Sequence, residues 1–174
     1  MKQVPKWLIA LLLLITTVSV AISIWVIFFR GVENTNVPLV PDYAPEVEEH
    51  AKPIPGDTTE KGDSPQKGGS VTLTYSDQVT VDLSEKTASL IFANPKKSNQ
   101  DMVLQIVVQD VIVAQSGRLV SGNQISMLSL TDDALAKLNV GGYEGKFVIF
   151  FYNQVSGEKA TVNTEIPIKI SVKK

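Results

Sequence analysis

An unbroken apolar run from Trp7 to Phe29 constrains this chain more than any other feature, because it decides where everything after it must lie. At ~1.5 Å per residue the run forms a helix of about 34 Å, enough to cross a hydrocarbon core of roughly 30 Å with some tilt. Its polar side chains are the small hydroxyls Thr16, Thr17, Ser19 and Ser23, which can bond to the preceding turn of their own helix and leave nothing bare in lipid. Trp7 and Trp25 stand near the ends, close to the headgroup level that indole rings favour. Lys2 and Lys6 precede the run and Arg30 closes it, so the short leading side is expected to stay cytoplasmic and the remainder to be exported. Residues 1–30 are therefore read as a signal-anchor transmembrane helix. A cleaved signal peptide is the competing reading, since Ala21 and Ser23 have the small-residue spacing of a cleavage site. Cutting there would leave Ile24 to Phe29 as an exposed apolar terminus, which favours retention.

The chain has 174 residues. After the anchor this leaves room for one modest domain able to bury a real core. It has no cysteine, so a disulfide framework, a thiolate metal site and a cysteine nucleophile are excluded. The formal charge of −2 is unevenly spread: residues 31–69 carry eight acids against three bases, whereas the chain from Ser70 onward has ten of each. A neutral domain behind an acidic tether has no basic footprint for nucleic acid.

Residues 31–69 contain Pro38, Pro41, Pro45, Pro53, Pro55 and Pro65, scattered acids and no sustained hydrophobic period. Such a composition buries too little surface to offset ordering, so it predicts a disordered linker. The cluster Glu46, Glu48, Glu49 and His50 resembles a ligand set at first sight, but a proline-flanked tether offers nothing to orient it; a solvated linker is the favoured reading.

From residue 70 to 174 the pattern becomes short period-2 runs separated by turn residues, the signature of an all-β fold. Val71, Leu73 and Tyr75 alternate with threonines, as do Val79, Val81 and Leu83 with Thr80 and Asp82. Ser84 to Lys86 makes a tight connection to Ala88–Ala93; the polar stretch from Lys96 to Gln100 reads as a mobile loop. Met102, Leu104, Ile106 and Val108 form one face of a further strand. Thr131 is a plausible N-cap for one or two helical turns ending near Leu138. In the last run Val162, Ile166, Ile168, Ile170 and Val172 share a face, and Pro167 argues for an edge or a bulge. About seven strands joined by short turns predict an Ig-like Greek-key β-sandwich, with a small barrel as the alternative. Leu138, Gly141, Gly142 and Tyr143 before the strong strand Lys146–Asn153 match a tyrosine corner, in which the phenol bonds back to nearby backbone.

The stretches SLIFANPKKSNQDMVLQIVVQD, GGYEGKFVIFFYNQVSGEKA and VNTEIPIKI resemble a family of small bacterial membrane-anchored proteins, mostly from Gram-positive lineages, with one exported Ig-like domain. The resemblance implies location and architecture. It brings no catalytic residues and no cofactor.

With Tyr143 inward, Phe147, Ile149 and Phe151 follow it to the core and Val148, Phe150 and Tyr152 face out. Pairing with the strand bearing Val103 and Val107 would merge these five into one exposed apolar patch, a candidate contact for a protein partner or a second copy. A fold of the chain over the patch is the competing reading. The sequence shows no nucleophile with its base, no paired carboxylates and no metal loop; calcium held by Asp101, Asp110 or Asp132 has no motif behind it. The expected function is a noncatalytic envelope module binding another protein. The alternatives are an accessory subunit of a secretion, conjugation or pilus assembly, and glycan binding through Tyr75, Tyr143 or Tyr152.

Overall fold

The computed structural model describes residues 5–29, 40–60 and 69–174. The chain divides into two compact units, Met1–Asn36 and Val37–Lys174. In the first, helix α1 spans Lys6–Phe29, 24 residues. Thr16 Oγ1 donates to Leu13 O at 2.9 Å and Thr17 Oγ1 to Leu14 O at 2.9 Å, so these two hydroxyls are satisfied within the helix. Every side chain from Leu13 to Val20 is exposed, and eight consecutive residues cover all sides of a helix. Counted only over residues whose side chains are described, no helix is long and apolar enough to cross a membrane.

The second unit is built from strands β1 (Lys52–Pro53), β2 (Thr74–Tyr75), β3 (Gln78–Asp82), β4 (Thr87–Asn94), β5 (Gln100–Val108), β6 (Val111–Gln115) and β7 (Asn123–Ser129), the short helix α2 (Asp132–Lys137), and the long strands β8 (Gly141–Asn153) and β9 (Lys159–Lys173). Their hydrogen-bonded order is β1-β7-β4-β3-β9-β8-β5-β6, with β2 also on β4. The path of named strands ends at β1 and β6, and an antiparallel bridge of Ala114 with Leu130 ties β6 to the residue just after β7. The array folds back on itself: the Phe92 ring on β4 meets the Phe147 ring on β8 edge-on, centroids 5.8 Å apart, although three steps of the path separate those strands. The result is an all-β fold, with β7 and β4 in one layer and β9, β8, β5 and β6 in the other.

Strand β3 joins the layers. It pairs antiparallel with β4 and parallel with β9, Gln78 to Asp82 against Lys169 to Lys173. The final strand is consequently interior over residues 169–173 and an edge before that. Lys169 N donates to Asp77 O at 2.7 Å, so odd-numbered residues of β9 turn their backbone groups away from β8. Pro167 falls in that set, where its missing N–H takes no bond from the β8 ladder. The expectation that Val162 shares the buried face is corrected: it is 71% exposed, because the register shifts between Phe150 and Tyr152 and places two extra β9 residues opposite the strand.

Between the layers lies a core containing Phe92, Leu104, Ile106, Leu119, Ile125, Phe147 and Ile149. Thr131 caps α2, its side chain accepting from Ala134 N. The Tyr143 hydroxyl accepts from Asn139 N and donates to Asn139 O, both at 3.1 Å, which ties the start of β8 to the end of α2. The stretch 96–100 is not loose: Ser98 is fully buried and bonds Thr72 N and O, while Asn99 Oδ1 accepts from Ser70 N at 2.7 Å. These side chains, and not a ladder, hold Val71 and Leu73 against the core. Gln109 and Asp110 both have positive φ at the β5–β6 turn, the geometry of a two-residue hairpin that follows sheet twist.

Two substitutions probe this frame. A Cβ at Gly145 would stand 2.7 Å from Val107 O and 2.7 Å from Ile170 Cδ1, so Gly145→Ala should destabilise by about 1–3 kcal/mol in urea unfolding. Replacing Gln109-Asp110 by Asn-Gly should stabilise by roughly 0.5–1 kcal/mol, read as a higher unfolding midpoint.

Candidate functional site

The structure brings the five patch residues together. In the β5–β8 register Val103 lies opposite Phe150 and Gln105 opposite Val148, with Phe150 shared by two small clusters, one of Val40, Val103 and Tyr152 and one of Val107, Ile112 and Val148. The expected exposure is corrected. Val103 and Tyr152 are 0% exposed, Val107 5% and Val148 7%; only Phe150 is half-buried.

Part of the cover is the segment assigned to a disordered linker. Residues 40–57 form a strap held to the domain by backbone and side-chain bonds, while residues 31–39 and 61–68 of the expected linker lie outside those described. Val40 is 5% exposed and packs on Val103 and Tyr152, with Ala44 beside it. The Tyr152 hydroxyl donates to Pro41 O at 2.9 Å, and Lys159 Nζ donates to Val40 O at 3.0 Å and faces Asp42 at 3.1 Å. Burial, with the Asp42 charge adding to it, pushes the Tyr152 phenol above its ordinary value. Ala44 N donates to Gly157 O and Lys159 N to Asp42 O, both at 2.8 Å.

Farther along, the strap runs beside the turn before β7. Arg118 N donates to Glu46 O at 2.8 Å and Glu48 N to Arg118 O at 3.0 Å, a parallel bridge of Val47 with Arg118. The Glu48 carboxylate is buried. One oxygen accepts from Gly117 N at 2.6 Å, and the other bonds both His50 N and His50 Nδ1 at 3.0 Å. Burial alone would raise its pKa, but the hydrogen bonds from the His50 and Gly117 backbones and from the His50 ring outweigh it and hold the carboxyl below the ordinary value. The acidic cluster is therefore not a solvated stretch throughout: one of its acids is an internal fastener. Beyond it β1 pairs with β7, Ile54 N donates to Gly122 O at 2.9 Å, and Asp57 Oδ2 accepts from Lys96 N at 2.8 Å.

The remaining chemistry-bearing residues are dispersed. Asp101 begins β5 and Asp110 lies past its end, so at ~3.3 Å per residue they are about 30 Å apart and do not share a cation. Asp101 faces Arg118 and accepts from Gln154 Nε2 at 3.0 Å. Among the described residues no group of three or more His, Asp or Glu side chains is placed to hold a metal. Of the aromatic candidates for a glycan, Tyr152 is buried and the Tyr143 hydroxyl is bonded to Asn139, while Tyr75 packs edge-on against Phe147 at 6.4 Å. An open groove of about 780 Å3 lies at the far end of the β9–β8–β5 layer, where Lys146 and Glu165 pair at 2.9 Å beside Glu144, Asp110 and Lys169. It presents both signs of charge and no convergent set.

No family model matches the chain, and no curated protein matches it. Solved structures similar to it include a chaperone and two fimbrial subunits. The periplasmic chaperone SfaE matches at 13% identity and a TM-score of 0.37, over 60% of this chain and 56% of the chaperone, so the match spans little more than half of that protein. AggA, the major subunit of aggregative adherence fimbriae type I from Escherichia coli, matches at 16% identity and a TM-score of 0.30, over 66% of this chain and 99% of its own. The CooA pilin subunit from enterotoxigenic Escherichia coli matches at 16% identity and a TM-score of 0.26, over 60% of this chain and 99% of its own.

The strap contacts make two tests available. A Cβ at Gly117 would stand 2.9 Å from Glu46 O and 3.0 Å from Glu48 Cα, backbone atoms that cannot swing aside, so Gly117→Ala should open residues 40–50 to limited proteolysis while the β-sheet spectrum persists. Because the folded Glu48 carboxyl lies below its ordinary 4.5, its contribution is complete above that value and is lost as pH falls through the lower folded one. Glu48→Gln should therefore cost about 1–2 kcal/mol at pH 7, and urea midpoints of the two proteins should converge as pH drops below 4.5.

Proposed function

We propose that this chain is a noncatalytic single-pass membrane protein that presents its Ig-like domain outside the membrane for contact with other proteins of the cell envelope. The observation that carries this reading is helix α1: 24 residues long, with apolar side chains exposed in every direction around it. A helix polar on one face would fit a protein core or a membrane surface, whereas one apolar all round needs lipid or protein on every side. Lys2 and Lys6 on the short leading side favour a cytoplasmic N-terminus.

The noncatalytic part of the reading is supported by how the reactive side chains are used. Glu48 and His50 fasten the strap, Asp101 and Arg118 face each other, and Tyr152 holds Pro41. Each is committed to a structural bond. The protein-binding part is supported by Phe150, an aromatic side chain that stays half-buried at the surface between the two outer clusters.

Protease added to intact cells should degrade residues 40–174 and leave the anchor. Protection of that portion until lysis, or a mature product beginning beyond Phe29, would refute the topology. Val18→Arg, near the middle of α1, should reduce membrane retention, since a central arginine adds about 2.5–3.5 kcal/mol to insertion.

A further inference from the structure

We propose that the tip formed by Val155 and Tyr43 rests in the headgroup layer of the lipid membrane that holds α1, so that the domain stands on that end. The inference deepens the membrane reading above and rests on it.

Val155 is 98% exposed at the turn between β8 and β9. The turn does not need it. Asn153 Oδ1 accepts from Val155 N at 2.8 Å and from Ser156 N at 3.0 Å, Gly157 N donates to Asn153 O at 2.8 Å, and Gly157 takes the positive φ of 72° that closes the bend. These are bonds of the backbone and of one asparagine, and a polar side chain at position 155 would leave all of them in place. A braced turn thus holds out an apolar side chain that packs on nothing in the domain. Tyr43 stands beside it: a backbone bridge with Glu158 fixes it against the same turn, and it is 65% exposed. A phenol, apolar in its body and polar at its end, suits the level of lipid headgroups.

Lipid is favoured as the occupant by where the chain enters. Val40 packs on Tyr152, three residues before Val155, so the domain is joined at the end that carries this tip. Ten residues, Arg30 to Leu39, separate α1 from Val40. Fully extended they reach at most about 35 Å, and a flexible chain of that length averages roughly 17 Å. Val140, 63% exposed, and Val155 flank the 13 residues of β8, which at ~3.3 Å each puts them about 40 Å apart. The tether therefore keeps Val155, and not Val140, within reach of the bilayer surface. Two side chains are too few to bind lipid from solution, but a short tether raises their effective concentration enough for a weak contact to be occupied. Charge does not oppose it: Lys96 and Lys97, on the turn before the β5 residue that pairs with Asn153, stand with Lys159 against Asp42, Asp57 and Glu158.

The chain has no cysteine, so Val155→Cys and, separately, Val140→Cys each introduce a single thiol for an environment-sensitive fluorophore. The full chain is reconstituted into phosphatidylcholine vesicles, with and without phosphatidylglycerol, that carry lipid spin-labelled near the headgroup. Both leaflets are alike, so the readout does not depend on the direction of insertion. The fluorophore at 155 should be quenched about twofold more strongly than the one at 140, and Tyr43→Ser should narrow that gap. Equal quenching at the two positions, in a chain that floats with the vesicles, would overturn the contact and leave the membrane reading standing. A gap that Tyr43→Ser does not narrow would overturn the two-residue tip. Blue-shifted emission at 155 without quenching would give the tip to a protein and overturn lipid as its occupant. A chain that does not float with the vesicles would overturn the membrane reading, and this contact with it.

Discussion

The Glu48 carboxylate sits inside the domain and accepts the backbone N–H of Gly117 from a turn 69 residues away. A buried charge is tolerable only when its lone pairs are filled, and here the fillers are Gly117, the His50 backbone and the His50 ring. Once that carboxylate is placed, the chain on either side of it has little freedom. Arg118 takes up the backbone on both sides of Val47, β1 follows onto β7, and residues 40–44 are laid over Val103 and Tyr152. What composition describes as a tether is, in its middle, an added layer of the domain.

That layer answers a difficulty in the sheet beneath it. Strand β5 is buried at nearly every position, which a strand in a two-layer sandwich with one wet face would not be. Its inner residues, Met102, Leu104 and Ile106, belong to the main core, and its outer residues, Val103 and Val107, belong to the two outer clusters. The outer residues need a third layer. Val40 and Ala44 supply it at one end, and the alternation that made those outer side chains look like a docking surface is the alternation that receives the strap.

Much of the frame was legible because its determinants are local. The alternating and apolar runs place β3, β4, β5, β8 and β9, and Thr131 signals α2 at the next residue. The back-bond from Tyr143 to Asn139 likewise spans only four positions. The strap was not legible for the opposite reason. Val40, Ala44 and Ala51 follow no strand or helix period, and Val40 is buried against Val103 and Tyr152, more than fifty positions away. Its prolines and acids carry the signature of disorder, while what orders it is Gly117, Tyr152 and Lys159, distant residues with nothing in their own surroundings to advertise the role. The same holds for Ser98 and Asn99, polar loop residues whose side chains secure the segment before β2, and for the parallel pairing of β3 with β9, which no turn signal encodes.

The central claim is that residues 40–57 belong to the folded domain, and amide hydrogen exchange of the full-length protein tests it most directly. The amides of Ala44, Glu48 and Ile54 each donate to a carbonyl of the domain. They should exchange at least a hundredfold more slowly than in a peptide of the same sequence, with Glu48 slower than Ala44. Exchange of all three at the peptide rate, while the β5 and β8 amides stay protected, would contradict the account.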